Sequence, residues 1–479
     1  MSRINTNTAS LLAGRQLATS QSKLQQSLER LSSGLRINRG ADDPAGLIIS
    51  QNLQSEVEGV QQAINNSQRA VNVLATTEGA LNEVANLLND IQSKVVEAAN
   101  TGAVSDDEIK ANQLQIDSAV ESITRIANTT SFGGRKLLNG SLGYVTSGIN
   151  ATNLTDVQLH GVTFGTANYV PVTVSVTQSA QHGELQFATS AVTQNVTIEI
   201  AGSRGVNTLS LLAGTTASAI LGAINLVSDS TGVSASLINP LVATSGIRIL
   251  SKDFGSSSFV QVHELGTTVG AFQTQDAAGA LVSRDIGRDV SATINGAQSL
   301  GKGLSLSLNT SGLSLDLSIT QAFNTVGTTS FAVTGGGANF QLGPGVDSNQ
   351  QVNIGVQSTA ASRLGNASIG YLSDITSGGQ YSLVNGQASK AADILSEAIN
   401  QVSVLRGRLG AFEKNTLDTN VNQLGITLEN LSSAESTIRD LDFAQETSNL
   451  TKQQILVQAG TSILGVANST PQTVLSLLK

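Results

Sequence analysis

Apolar residues recur every three or four positions over long stretches at both ends of this chain, and that periodicity constrains the fold more than any other feature. Leu17, Leu24, Leu28, Leu31 and Leu35 keep a 7, 4, 3, 4 spacing, the seam of a coiled coil. After Ala41-Asp-Asp-Pro44, a second run sets Leu53, Val57, Val60, Ile64, Ser67, Val71 and Leu74 at alternating steps of 4 and 3. Leu81, Ala85, Leu88, Ile91 and Val95 extend it. Asp43 is placed to cap this helix, and Pro44 suits its first position, where no N–H donor is needed. Ser105 and Glu108 have capping-box spacing ahead of a third helix bearing Ile109, Ile116 and Ile123. The other end repeats the pattern with Leu395, Ala398, Val402, Leu405, Leu409 and Phe412, then Leu417, Val421, Leu424, Leu428, Leu431 and Ile438. A last amphipathic stretch runs from Asp442 to Ala467. A stripe this narrow cannot bury itself within one helix. The two ends are therefore expected to partner each other and, since both seams run to the chain ends, to partner other copies.

The middle of the chain differs in kind. Residues 146–385 carry 19 of the 61 charged residues but 30 of the 47 glycines, which reads as a β-rich, turn-rich insert between helical flanks. Val172, Val174 and Val176 alternate with Thr173 and Ser175, as in a half-buried strand. Leu304, Leu306 and Leu308, an Asn309–Gly312 turn, and then Leu313, Leu315, Leu317 and Ile319 predict a hairpin. One short helix is expected over Thr216–Ser228, with Ile220, Ile224 and Val227 on one face. The fold class is α+β and multi-domain: residues 1–40 with 442–479, residues 41–145 with 386–441, and the insert 146–385, divisible into two subdomains.

Composition narrows the function. A formal charge of -9 argues against a nucleic-acid binder, and 3% aromatics is low for stacking bases or sugars. With no Cys there is neither a disulfide framework nor a thiolate metal site. No apolar run approaches the roughly 18 residues that span a bilayer, and the first residues lack the apolar core of a secretory signal. His160, His182 and His263 lack metal-ligand spacing and read as surface or loop residues. The pairs Asp42-Asp43 and Asp106-Asp107 fit helix capping better than acid–base work. Gly335-Gly-Gly337 lacks the lysine and helix of a phosphate-binding loop and reads as a turn. No catalytic set, metal or cofactor is expected.

At the flanks the sequence resembles bacterial flagellin. Ile4-Asn-Thr-Asn7, Leu28-Glu-Arg-Leu-Ser-Ser-Gly-Leu-Arg-Ile-Asn38 and Ala41-Asp-Asp-Pro-Ala-Gly-Leu47 are similar to the family's N-terminal signature. Thr77-Glu-Gly-Ala-Leu81 and Arg125-Ile-Ala-Asn-Thr-Thr-Ser-Phe-Gly-Gly134 follow in the family's order. Leu405-Arg-Gly-Arg-Leu-Gly-Ala411, the Ser436–Asp442 stretch and Val474-Leu-Ser-Leu-Leu-Lys479 match the C-terminal signature. Ile198–Ile238 and Asp289–Ile319 resemble the family's small Ile-Asn repeat modules.

The resemblance implies a self-assembling subunit of the extracellular flagellar filament, exported unfolded through the flagellar type III pathway, with no enzymatic activity. A hook–filament junction protein of the same superfamily is the alternative. Implied partners are other copies of the chain, an export chaperone, and cap and hook-associated proteins, without nucleic acid or membrane insertion. Leu17, Leu24, Leu28, Leu31, Leu35, Ile463 and Val466 are expected to pack an inner tube. Leu53, Val57, Val60, Ile64, Leu88, Ile91, Val95, Leu405, Leu409 and Phe412 are expected in an outer shell, with Glu29, Arg30, Arg36 and Arg39 available for inter-subunit pairs. The family's Toll-like receptor epitope corresponds to Leu88-Asn-Asp-Ile-Gln-Ser-Lys-Val-Val-Glu97. Among Asn89, Asp90, Ser93 and Glu97, Asp90 stands where the recognised form has Arg and Ser93 where it has Glu. Weak or absent receptor activation is therefore expected. The Ser/Thr-rich insert is a compositional candidate for O-glycosylation.

Overall fold

The computed structural model describes residues 6–476 apart from 166, 267–269 and 311. Ile4, Asn5 and Leu477 to Lys479 of the terminal motifs lie outside the described residues. Helix α1 (Thr8–Ser33) starts at Asn7, whose side chain accepts from Ser10 N–H at 3.0 Å, and stops at Gly34 in a left-handed conformation. Leu35 thus lies beyond the helix and bridges Asp440 instead of extending the leucine seam. Helix α2 (Pro44–Ala98) begins as expected, with Asp43 Oδ1 accepting from Gly46 N–H at 2.9 Å. Ahead of α3 (Asp106–Thr129), Ser105 and Glu108 close a full capping box. Two short helices, α4 (Ala217–Leu226) and α5 (Ser228–Thr231), fall in the insert. Val227 sits at the break between them rather than on the predicted helical face. The chain then forms α6 (Ala388–Phe412), a π-turn over Glu413–Leu417, α7 (Asp418–Arg439) and α8 (Phe443–Ser476).

Two compact units result. Met1–Ala70, Gln341–Gln350 and Lys414–Lys479 make the first; Val71–Phe340 and Gln351–Glu413 make the second. Within the first, α1 and α8 run antiparallel: Asn7 Nδ2 donates to the Ala467 carbonyl at 2.7 Å, and Leu441 N–H donates to the Gly34 carbonyl at 3.0 Å. The beginning of α2 packs on α7 through Val60, Ala63, Ile64 and Leu424, with Val421, Leu428 and Leu431 at the margin. Within the second, α2 buries Leu81, Val84, Leu88, Ile91 and Val95 at steps of 3 and 4. The fully buried position is Val84 rather than Ala85: both lie on the apolar side of a 3.6-residue repeat, and Ala85 stays half-buried at its margin.

The β-hairpin β1 (Ser131–Phe132) and β2 (Arg135–Lys136) leads from α3 into the insert. The insert contains two β modules. The first comprises β3 (Tyr144–Ser147), β4 (Leu154–Val162) and β5 (Val170–Gln178), together with later strands described below. The second comprises β6 (Glu184–Phe187), β7 (Val196–Gly202), β8 (Val206–Leu211), β9 (Val233–Leu237), β10 (Ile247–Ser251), β11 (Phe259–Leu265) and β12 (Arg284–Ile286). Its sheets, ordered β12-β11-β7-β8 and β6-β10-β9, enclose a core with Ile220 and Ile224 of α4. The chain then returns to the first module with β13 (Ser291–Ile294), β14 (Ala297–Gln298), β15 (Leu300–Lys302), β16 (Ser305–Asn309), β17 (Leu313–Ile319) and β18 (Gly327–Gly336). Its sheets are ordered β14-β13-β5-β18-β3 and β15-β16-β17-β4. The predicted hairpin is β16–β17, with Leu306 opposite Leu317 and Leu308 opposite Leu315. Val172, Val174 and Val176 point into the core from β5, as their alternation requires.

A candidate self-assembly surface on the terminal helices

The face that α1 turns to α8 differs in part from the leucine pattern. Leu17, Leu24 and Leu31, one heptad apart, are half-buried. Between them Ser20 and Ser27 are the buried residues, while Leu28 stays 49% exposed. Small side chains thus sit on the α1 face turned to α8, and α8 in turn sets Gly460 against Leu17. A Cβ added there would lie 3.2 Å from Leu17 Cδ1. The α8 side of this seam is Leu450, Val457, Gly460 and Leu464, flanked by the buried Glu446 and Ala467.

Among the described residues, nothing covers another face of α8. Ile455, Leu456, Ile463 and Val466 are 62%, 39%, 59% and 66% exposed. At about 100° per residue they fall within one stripe, rotated well away from the seam toward α1. Leu11, Leu12 and Leu28 of α1, together with Phe443, are further large apolar side chains left in solvent. Apolar side chains repeated along a helix that its own chain does not cover mark an interaction surface.

The polar residues close the base of the helix pair. Arg39 forks onto Glu29, with Nε 2.9 Å from Oε1 and Nη2 2.9 Å from Oε2. Arg36 Nε donates to the Ile438 carbonyl at 3.1 Å, beside the main-chain bond from Arg36 N–H to the Arg439 carbonyl at 2.7 Å. Asp42 accepts from Arg39 and Asn38 N–H and from Gln26, and these bonds, Arg39's foremost, hold its carboxyl below the usual range. Arg30 stands near Asp42 and lowers it further. Glu29, Arg36 and Arg39 are thus engaged within the chain itself, which the sequence pattern did not disclose.

Of the outer-shell candidates, Val60, Ile64, Leu88, Ile91, Val95 and Leu409 are buried, whereas Leu53, Val57, Leu405 and Phe412 are half-buried. Phe412 lies tilted against Phe340, with ring centroids 6.4 Å apart. Asn89, Asp90, Ser93 and Glu97 all face solvent on α2, and Glu97 pairs with Lys94 at 2.9 Å.

His160 departs from the surface reading of the histidines. It projects from β4 with its side chain only 11% exposed, and its Nε2 lies 3.0 Å from Asp316 Oδ2. Arg408 of α6 donates to the same oxygen at 2.8 Å. Burial, the largest influence, keeps His160 below its ordinary pKa. For Asp316 burial pushes upward, but hydrogen bonds from His160, Ser307 and Arg408 outweigh it and hold the carboxylate well below its usual range. This cluster fastens β17 to α6.

Family models match three segments: the bacterial flagellin N-terminal helical region over residues 4–142, the C-terminal helical region over 392–478, and the flagellin hook IN motif over 196–246. The last spans the first of the two Ile-Asn segments noted in the sequence. The chain is 31% identical to flagellin B of Helicobacter pylori, covering 100% of this chain and 99% of that protein. It is 31% identical to the B-type flagellin of Pseudomonas aeruginosa and 30% identical to polar flagellin F of Vibrio parahaemolyticus, with 99% of each chain covered. Among solved structures, the flagellar junction protein FlgL of Legionella pneumophila is 13% identical over 82% of this chain and 99% of its own. Its TM-score of 0.28 is too low to bear on the fold. The chain belongs to the bacterial flagellin family, the structural subunits of the extracellular flagellar filament.

Proposed function

We propose that this chain builds the propeller filament for swimming by helical self-assembly, after export in unfolded form through the flagellar type III pathway. Residues 1–40 with 442–479 form the inner tube, 41–145 with 386–441 the surrounding shell, and 146–385 the outward-facing insert. An export chaperone and the cap and hook-associated proteins are its other partners. The observation that carries this reading is the uncovered α8 stripe of Ile455, Leu456, Ile463 and Val466. Each such side chain contributes roughly 1–2 kcal/mol when a neighbouring copy removes it from water. Ile463→Asp with Val466→Asp is expected to raise the critical concentration for filament growth at least tenfold. Both sites are exposed, so the circular dichroism of the monomer should not change. Normal filaments from this variant, seen by electron microscopy, would overturn the reading.

The exposed Asn89, Asp90, Ser93 and Glu97 on α2 support weak or absent Toll-like receptor activation, since Asp90 reverses a charge in the family's epitope. Monomer added to receptor-reporter cells is expected to give little signal; potency equal to that of a Salmonella flagellin would contradict it.

A further inference from the structure

Sheet edges expose main-chain N–H and C=O groups, and most edges in the insert are blunted. Asn225 occupies the β9 edge by accepting from Ala235 N–H at 2.8 Å and donating to the Ala235 carbonyl at 3.0 Å. Strand β12 is three residues long and carries Arg284 and Asp285; β15 is equally short and carries Lys302. Register breaks interrupt β4 and β3. Strand β8 is different: Val206-Asn-Thr-Leu-Ser-Leu211 pairs with β7 in six unbroken steps and contains neither charge nor proline.

The phase of that edge can be read from the ladder. Gly202 N–H donates to the Gly205 carbonyl at 3.0 Å, closing the β7–β8 hairpin. Antiparallel positions alternate, so Asn207, Leu209 and Leu211 direct their main-chain groups to β7. Val206, Thr208 and Ser210 direct theirs to the open side, where no hydrogen bond from another described residue reaches them. Val206 is 59% exposed, and Leu212, just past the other end, is 71% exposed.

We propose that β8 pairs antiparallel with β8 of a second copy of this chain, fusing two four-stranded sheets into one of eight. Directly opposed residues must share a sheet face, so only even-summed registers are allowed. The register that sets Thr208 opposite Ser210 of the other copy brings Val206 beside Leu212 and so covers both exposed apolar residues together. The ladder itself is confined to Val206–Ser210, because the Leu212 carbonyl already accepts from Thr215 N–H and Oγ1. One strand pair buries less than the roughly 1,200 Å² of a stable complex, so free monomers associate weakly. Repetition of the edge along a filament multiplies the contact, which favours another filament-borne copy over a soluble partner. Copies in one helical filament all point the same way. Two edges related by a two-fold axis therefore belong to different filaments, and the contact joins filaments side by side.

Because the chain has no Cys, single cysteines report this contact cleanly. Filaments of Thr208→Cys mixed with filaments of Ser210→Cys are expected, on mild oxidation, to give cross-linked dimer in several-fold excess over either alone. Val145→Cys on the β3 edge should give none. Equal yields in all samples, or none above Val145→Cys, overturn the proposal. Thr208→Pro removes an N–H on the open side and leaves the β7 ladder intact. Its filaments should grow to normal length yet fail to associate laterally in electron micrographs where the parent filaments do; lateral association matching the parent's would also overturn it. Filament growth, which tests the terminal-helix reading, is scored separately from association.

Discussion

The cluster of His160, Asp316 and Arg408 gives single residues a measurable role. Asp316 receives both partners on one oxygen, so Asp316→Ala leaves Arg408 and His160 without their acceptor and should destabilise the second unit by about 1–2 kcal/mol. The pH dependence has a definite sign. His160 has a lowered pKa in the fold, so its contribution is complete above about pH 6.5 and declines as pH falls through that value toward the folded one. Asp316, also lowered, contributes fully above its ordinary carboxylate value and loses that contribution in stronger acid. Thermal unfolding of the chain should therefore move to lower temperature between pH 7.5 and pH 5. His160→Gln should remove the His160 share of that shift; a pH dependence identical to the parent's would refute the assignment. None of this was legible in sequence, because His160 and Asp316 are 156 positions apart and a lone histidine in a strand carries no pattern.

At the scale of elements, periodicity and capping chemistry were sufficient to place the helices. Asp43 and Ser105 with Glu108 cap α2 and α3 where their residue types called for it, and in the structure Thr216 caps α4. The stop of α1 was also encoded, in Gly34, though the spacing of Leu28, Leu31 and Leu35 carried the seam past it. What periodicity could not decide was which face of α1 meets α8. A leucine pattern shows that a helix must be covered, while the closeness of two backbones depends on the small residues between the leucines. Ser20 and Ser27 are the buried residues on that face, Gly460 of α8 makes room for Leu17, and Leu28 is left outside. In the insert, alternation identified β5 and the β16–β17 hairpin. The unguarded edge of β8 emerges only once its neighbours in the sheet are known.

For the whole molecule, the chain ends and the insert divide the labour. Deletion of residues 1–35 or 445–479 removes one partner of the α1–α8 pair and should abolish polymerisation. The unit built from Val71–Phe340 and Gln351–Glu413 should stay folded, since its own cores supply its burial. Sedimentation should show a monomer and circular dichroism should retain the β signal; normal filaments from either truncation would refute the account.

The sequence by itself determined the helical ends, the β-rich middle, the caps and the kinship with flagellins, because each is written in residue types over short spacings where local sterics and periodic burial act. Only the tertiary structure decided which side of α8 stays bare, how Glu29, Arg36 and Arg39 are occupied, where His160 finds its partners and which strand edge is left open. Those outcomes depend on groups distant in sequence competing for the same space and the same hydrogen bonds, and packing alone settles that competition.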